Sequence, residues 1–374
     1  MNVIRLIKPY VSFVDVEAEF RDILDSGILT RGKYADAFRD QIAHYTGAPH
    51  AFLTTSATTS LWVCLKLLGI GPGDEVIVSD FSFPATANVV EDLGARPVFA
   101  DVSLDTYNMQ AQALQSLITS HTKAVIFVDA LGNPTGLTAI AELCRQQGIP
   151  LIEDAACAIG STEGGRHCGE IADITCFSFH PRKLVATGEG GAVTTARADW
   201  AKWLSIKLAH GADGMRGPGL NFVDFGYNFR MSELQSVLGL KQLGRLDDIV
   251  IDRNKIRATY INRLESLGFV AQQHGPDVIH NVQSLAFRVP TGVNRDALIT
   301  GLKERHIEAT IGTYCQSATK YFAHRYGHHC PNARLLEAST ITLPCYEGVD
   351  VAYVCDAVID FLDKVNSRTK CNFD

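Results

Sequence analysis

The sequence predicts an α/β protein: a large N-terminal domain on a mostly parallel, seven-stranded sheet, followed by a small α+β domain. Three observations carry this. Short apolar runs alternate with helix-like runs through the N-terminal part, the pattern of strands joined by helical crossovers. Several of the apolar runs are rich in Val and Ile and apolar throughout, as expected of strands covered on both faces. The chain has 374 residues, more than a single core usually serves, so a second, smaller unit is expected.

The strand candidates, in order, are Ala51–Thr54, Glu75–Ser79, Pro97–Asp101, Ala124–Val128, Pro150–Glu153, Ile174–Ser178 and Gly191–Thr194. Helical candidates between the early ones are Thr58–Leu68, Ala85–Leu93, Ala111–Ile118 and Leu137–Gln147. Gly69, Gly71 and Gly73, with Pro72, close the first of these helices. From Ser232 to Leu267 the apolar residues recur at three- and four-residue spacing, which reads as one long helical stretch leading out of the large domain. After Asn281 come a strand-like QSLAFRV, a helical RDALITGLKERHI, a loop-rich stretch to Asn332, a strand-like STITLP and a final helix over 351–365. The expected domains are 1–245, including an N-terminal arm, and 246–374.

Composition excludes several function classes. The net charge is -7, so no excess of Lys and Arg is available to neutralise nucleic-acid phosphates. No apolar run approaches the roughly 20 residues that span a bilayer, and the N-terminal residues lack the apolar core and small-residue cleavage site of an export signal. The ten cysteines therefore read as reduced and mostly buried, in a cytoplasmic protein. His324, His328, His329 and Cys330 match no zinc spacing and read as a polar loop or helix end, with no metal expected.

Three segments point to chemistry only when taken together. In CFSFHPRKLVATGEGG, Lys183 follows a strand in a turn with Pro181, and the glycines after it end in no Lys-Ser/Thr, so this is not a phosphate-binding P-loop. Alone, Lys183 would pass for a solvated charge and the glycines for a hairpin turn. In IEDAACAIGS, Glu153 and Asp154 end an apolar strand, at the edge where open α/β sheets bind ligands, although a helix cap would look the same. In TTSATTSL, a strand runs into hydroxyl residues at a helix start, which serves a phosphate or simply caps the helix. A lysine, a carboxylate, a phosphate cup and an aromatic ring, Phe83, are what pyridoxal 5′-phosphate (PLP) requires: a Schiff-base anchor, a partner that keeps the pyridine nitrogen protonated, donors for the phosphate and a flat surface over the ring.

The chain resembles the DegT/StrS family of PLP-dependent nucleotide-sugar aminotransferases, of fold type I. The resemblance runs through SGILTRG (Ser26–Gly32), GIGPGDEVIV (Gly69–Val78), FSFPATANVVEDLGARPVFADV (Phe81–Val102), IEDAACAIGS, CFSFHPRK, TGEGGAVTT and GYNFRMSELQSVLGLKQL (Gly226–Leu243). It implies Lys183 as the Schiff-base lysine and proton shuttle, and Asp154 as the partner of the pyridine nitrogen. It further implies Ser178, Ala57 and Thr58 at the phosphate, Phe83 on the ring, and Asn228 reaching the phosphate of a second subunit in a homodimer. The implied reaction moves an amino group from glutamate or glutamine to a ketosugar, nucleotide-linked, for polysaccharide or secondary-metabolite biosynthesis. A PLP- or PMP-dependent sugar dehydratase would carry His where Lys183 stands; a PLP-binding regulatory protein is the rival from another class. Three positions depart from the family pattern. Ala57 stands where Gly is frequent and would be strained if its backbone were left-handed. Cys157 stands where Gln or His often meets the ring oxygen, and is a weak donor. The segment Ile311–Tyr314 matches the substrate-facing region only loosely.

Overall fold

A computed structural model of the chain describes residues 3–327 and 329–371. All seven strand candidates form one sheet: β1 (His50–Thr54), β2 (Glu75–Ser79), β3 (Arg96–Ala100), β4 (Thr122–Val128), β5 (Leu151–Asp154), β6 (Ile174–Ser178) and β7 (Gly191–Thr195). The spatial order is β1-β7-β6-β5-β4-β2-β3. Strands β3, β2, β4, β5 and β6 pair in parallel, while β7 runs against both of its neighbours. The sheet is therefore mostly parallel, as predicted. The central strands are rich in apolar residues because helices cover both faces: Val76, Ile77, Val78, Val125 and Ile126 have no exposed surface.

The helices α1 (Phe13–Ser26) and α2 (Lys33–Thr46) precede the sheet. The alternating helices are α3 (Ala57–Leu67), α4 (Ala85–Asp92), α5 (Ala111–Leu117) and α6 (Leu137–Gln147), each within a residue of its predicted start and end. The long helical stretch expected from Ser232 to Leu267 is instead two helices. Between them the chain breaks at Gly244–Arg245, where Arg245 leaves helical geometry at φ -116° and ψ 7°. Their bounds are Glu233–Leu243 and Leu246–Leu264, and Asp247 and Asp248 open the second, where the helix dipole favours acids. The periodicity survives this kink because both pieces bury apolar faces, so a pattern count reads straight through it.

The C-terminal part builds a four-stranded antiparallel sheet from Val270–Ala271, Leu285–Arg288, Thr340–Leu343 and Thr310–Ile311, in that spatial order. Its core joins Tyr260 and Leu264 to Phe287, Ile341 and Val358. The stretch read as loop-rich contains two helices, Lys320–Tyr326 and Pro331–Ser339, and the last helix runs Val351–Cys371. Both missed helices are short, too short for their apolar spacing to stand out. A two-residue strand, Tyr314–Cys315, crosses back to pair with Phe81–Ser82 beside the large sheet. The nine cysteines from Cys64 to Cys355 are free thiols, all buried except the half-buried Cys157. No described helix is long and apolar enough to cross a membrane.

Candidate active site

The sheet brings the three predicted segments to one edge through strand register. Ser178 ends β6 and lies opposite Gly191, which lies in turn opposite Thr54 at the end of β1. A Cβ on Gly191 would come within 2.5 Å of the Ser56 carbonyl carbon, so only glycine lets β7 start against the entry to α3. The N-terminus of α3 thus sits beside Ser178. Asp154 ends β5, the next strand but one from β7.

Within this cup the Ser56 and Thr59 side chains are committed to the helix. Ser56 Oγ accepts from the Thr59 N–H at 3.2 Å, and Thr59 Oγ1 donates to the Ser56 carbonyl at 2.8 Å. The N–H groups of Ala57 and Thr58, in the first turn, have no partner inside the helix and face outward with its dipole. Ala57 adopts right-handed backbone as the first residue of α3, so the alanine introduces no strain there. Ser178 is buried and accepts from the His180 N–H at 3.4 Å, which leaves its hydroxyl proton to give. This donor set fits a phosphate.

Asp154 is buried and well held. Thr86 Oγ1, in the first turn of α4, donates to its Oδ2 at 2.7 Å, and the Ala156 N–H donates to its Oδ1 at 3.2 Å. Burial raises its pKa; the two hydrogen bonds and the positive charge of Lys183 oppose that rise. A buried carboxylate restrained in this way is suited to a cationic ring nitrogen. Lys183 is half-buried in a turn closed by its N–H on the His180 carbonyl at 2.8 Å. Its Nζ lies 2.9 Å from Cys157 Sγ. Cys157 is therefore turned toward the lysine.

Phe83 is largely exposed at the mouth of the site, its ring centroid 6.3 Å from that of Tyr314. The loosely matching segment Ile311–Tyr314 therefore does reach the site, brought there by the pairing with Phe81–Ser82. Asn228 stands apart: it is exposed, and a backbone bridge to Ala209 ties it to the chain. Exposed Phe222, Val223 and Phe225 precede it. Of the histidine cluster, His324 lies in the last turn of helix Lys320–Tyr326 and Cys330 is the buried residue that precedes helix Pro331–Ser339. His328 lies outside the described residues.

Two groups at the site escaped the sequence reading. Thr86 is one; its place three residues after Phe83, in the first turn of a helix at the same sheet edge, was the available signal. Asp129 is the other. It follows β4, is fully buried, and neither carboxylate oxygen has a donor; nor has Glu153 Oε1. Asp129, Glu153 and the Cys168 thiol bring one atom each within 4.8 Å of one another. Burial pushes Asp129 well above the usual carboxylate range, and Glu153, Asp154 and Glu163 add to the rise. Glu153 is raised by burial as well. One proton shared between Asp129 and Glu153 would give one oxygen of each a partner and halve the buried charge.

Comparison with known proteins agrees with this geometry. The model of the DegT/DnrJ/EryC1/StrS aminotransferase family matches residues 14–360. A UDP-4-amino-4-deoxy-L-arabinose–oxoglutarate aminotransferase from Shewanella sediminis is 35% identical over 335 residues, covering 86% of each chain. A GDP-perosamine synthase from Caulobacter vibrioides is 33% identical over 340 residues, covering 89% of this chain and 90% of that one. Among solved structures, the PLP form of Spr1654 from Streptococcus pneumoniae superposes with a TM-score of 0.89 at 28% identity, covering 97% of this chain and 99% of that one. The chain belongs to the DegT/DnrJ/EryC1/StrS aminotransferase family and is an enzyme of that family.

Proposed function

From this membership, we propose a PLP-dependent aminotransferase that moves an amino group from glutamate or glutamine to a nucleotide-linked ketosugar. The product is an aminosugar for polysaccharide or secondary-metabolite biosynthesis. The observation that carries the reading is the meeting, at one sheet edge, of Lys183, the buried Asp154 and the outward N–H groups of α3. The names of the sugar-aminotransferase relatives support the substrate class, and they differ in the nucleotide, UDP in one and GDP in the other.

In this reading Lys183 anchors the cofactor. Its freed amine, held at the site by the turn, then moves the proton from the donor's α-carbon. Asp154 keeps the ring nitrogen protonated. Ala57, Thr58 and Ser178 hold the phosphate, and Phe83 covers the ring. Cys157 lines the site beside the lysine. PLP, when bound, supplies the electron sink that makes the α-proton acidic. Asn228 serves the site of a second copy, and exposed Phe222, Val223 and Phe225 give such a homodimer apolar surface. The enzyme works in the cytoplasm, with residues 1–245 as the cofactor domain and 246–374 as the small domain. Lys183, in place of His, favours amino transfer over dehydration.

Borohydride reduction with PLP, followed by peptide mapping, is expected to fix the cofactor on Lys183. A screen of nucleotide-ketosugars with glutamate is then expected to release 2-oxoglutarate. A colourless protein that reduction leaves unlabelled would sink the proposal.

A further inference from the structure

The Lys183 turn is gripped from behind by one buried side chain. Gln283 Nε2 donates to the Arg182 carbonyl at 2.6 Å, and the Leu184 N–H donates to Gln283 Oε1 at 2.9 Å. The two peptide groups that flank Lys183 are thus held by the two ends of a single amide. Among the described residues, the Arg182 carbonyl and the Leu184 N–H have no other partner.

The segment carrying Gln283 is itself fixed. Asn281 Oδ1 accepts from the Gln283 N–H at 2.9 Å, and Asn281 Nδ2 donates to the carbonyls of Cys157 at 2.9 Å and Ile159 at 2.8 Å. Between them Val282 is fully buried in left-handed backbone, φ 54°, a conformation that a β-branched residue adopts only when its surroundings force it. The force is visible. The buried Arg253 donates through Nε to the Val282 carbonyl at 2.8 Å and through Nη2 to the Gln283 carbonyl at 3.1 Å. On the other side, a Cβ on Gly132, itself at φ 100°, would overlap Asn281 Oδ1.

We propose that Gln283 is the positioning residue for Lys183, setting the direction of the lysine backbone so that Nζ meets the cofactor carbon and then the substrate proton. The segment Asn281–Gln283 holds both sides of the Lys183–Cys157 pair: Gln283 the lysine turn, Asn281 the Cys157 carbonyl. The proposal rests on Lys183 being the cofactor lysine.

Wild type, Gln283→Ala and Gln283→Glu are compared as full chains. The glutamate keeps an acceptor for the Leu184 N–H but sets an oxygen against the Arg182 carbonyl, so it tests the same contact if the alanine variant does not fold. In cofactor-free protein, hydrogen exchange over 180–186 is expected to quicken about tenfold, or more for Ala, while 151–154 and 174–178 exchange as in wild type. In the loaded enzyme kcat is expected to fall by up to about 100-fold, with KM for the amino donor changed less than threefold. Borohydride labelling of Lys183 should slow in parallel. Unchanged exchange and unchanged kcat would overturn the proposal, as would faster exchange spread evenly over the domain in both variants. Wild type that is not labelled at Lys183 retires the reading of that lysine instead, a result to which the cofactor-free exchange experiment is indifferent.

Discussion

Glu153 and Asp154 are consecutive, both buried, and end the same strand, yet they face two different environments. Successive side chains of a strand point to opposite faces. Asp154 meets Thr86, the Ala156 N–H and the positive charge of Lys183. Glu153 meets Thr175 Oγ1 at 2.7 Å and the Gly169 N–H at 3.1 Å through one oxygen, and Asp129 with the Cys168 thiol through the rest. Each carboxylate has two donors; on one face the remaining neighbour is a cation, which favours the anion, and on the other it is a second buried acid, which favours retention of a proton. Burial raises both groups, and the difference in role comes from the neighbours alone.

Substitution should separate the two faces. The largest effect is expected for Asp154→Asn, which leaves the shape but removes the charge that, in the proposed function, faces the ring nitrogen. A loss of at least about 10²-fold in kcat is expected, against less than about threefold for Glu153→Gln under the same assay; equal losses would erase the distinction. Next is Thr86→Val. It removes the 2.7 Å bond to Asp154 and frees a buried carboxylate oxygen, a cost of about 1–3 kcal/mol. Asp154 should then hold its proton to higher pH, so the acid limb of the kcat profile should move upward while the alkaline limb stays.

The smallest effect, and the one with a counter-intuitive sign, belongs to Asp129→Asn. The Asp129 pKa is raised in the folded protein, so the folded chain keeps a proton that the unfolded chain releases. Its contribution is fully present below the unfolded carboxylate pKa of about 4 and is lost as pH rises through the folded value. Asparagine donates to Glu153 without titrating. The variant should therefore match or exceed the wild-type melting temperature at neutral pH, and its stability should fall less steeply on alkalinisation. A lower melting temperature with the wild-type pH slope would show that Asp129 and Glu153 share no proton. Stoichiometric metal in the purified protein would show the same.

The seven strands were legible in the sequence because each is a short, largely apolar run, several of them rich in Val and Ile, a signal carried entirely by neighbours in the chain. The helices between them were legible for the same reason. The break at Gly244 was not, since the apolar spacing continues on both sides of it. Helices Lys320–Tyr326 and Pro331–Ser339 were hidden by their length. At the site, Asp154 and the Ser56–Thr58 entry were legible because each follows on a strand that the pattern marks, whereas Lys183 gained meaning only beside them and Ser178 only through the family resemblance.

What the sequence determined by itself is that one strand ends in a carboxylate, another runs into a hydroxyl-rich helix start and a lysine turn follows a third, because strand period and capping residues are local. What only the tertiary structure decided is which groups restrain them. Gln283 holds the peptides on either side of Lys183 from 99 and 101 residues away, and Asp129 reaches Glu153 only because β4 and β5 lie side by side. No spacing rule connects such residues. Their partnership exists only once burial has removed the water that would otherwise have satisfied each of them alone.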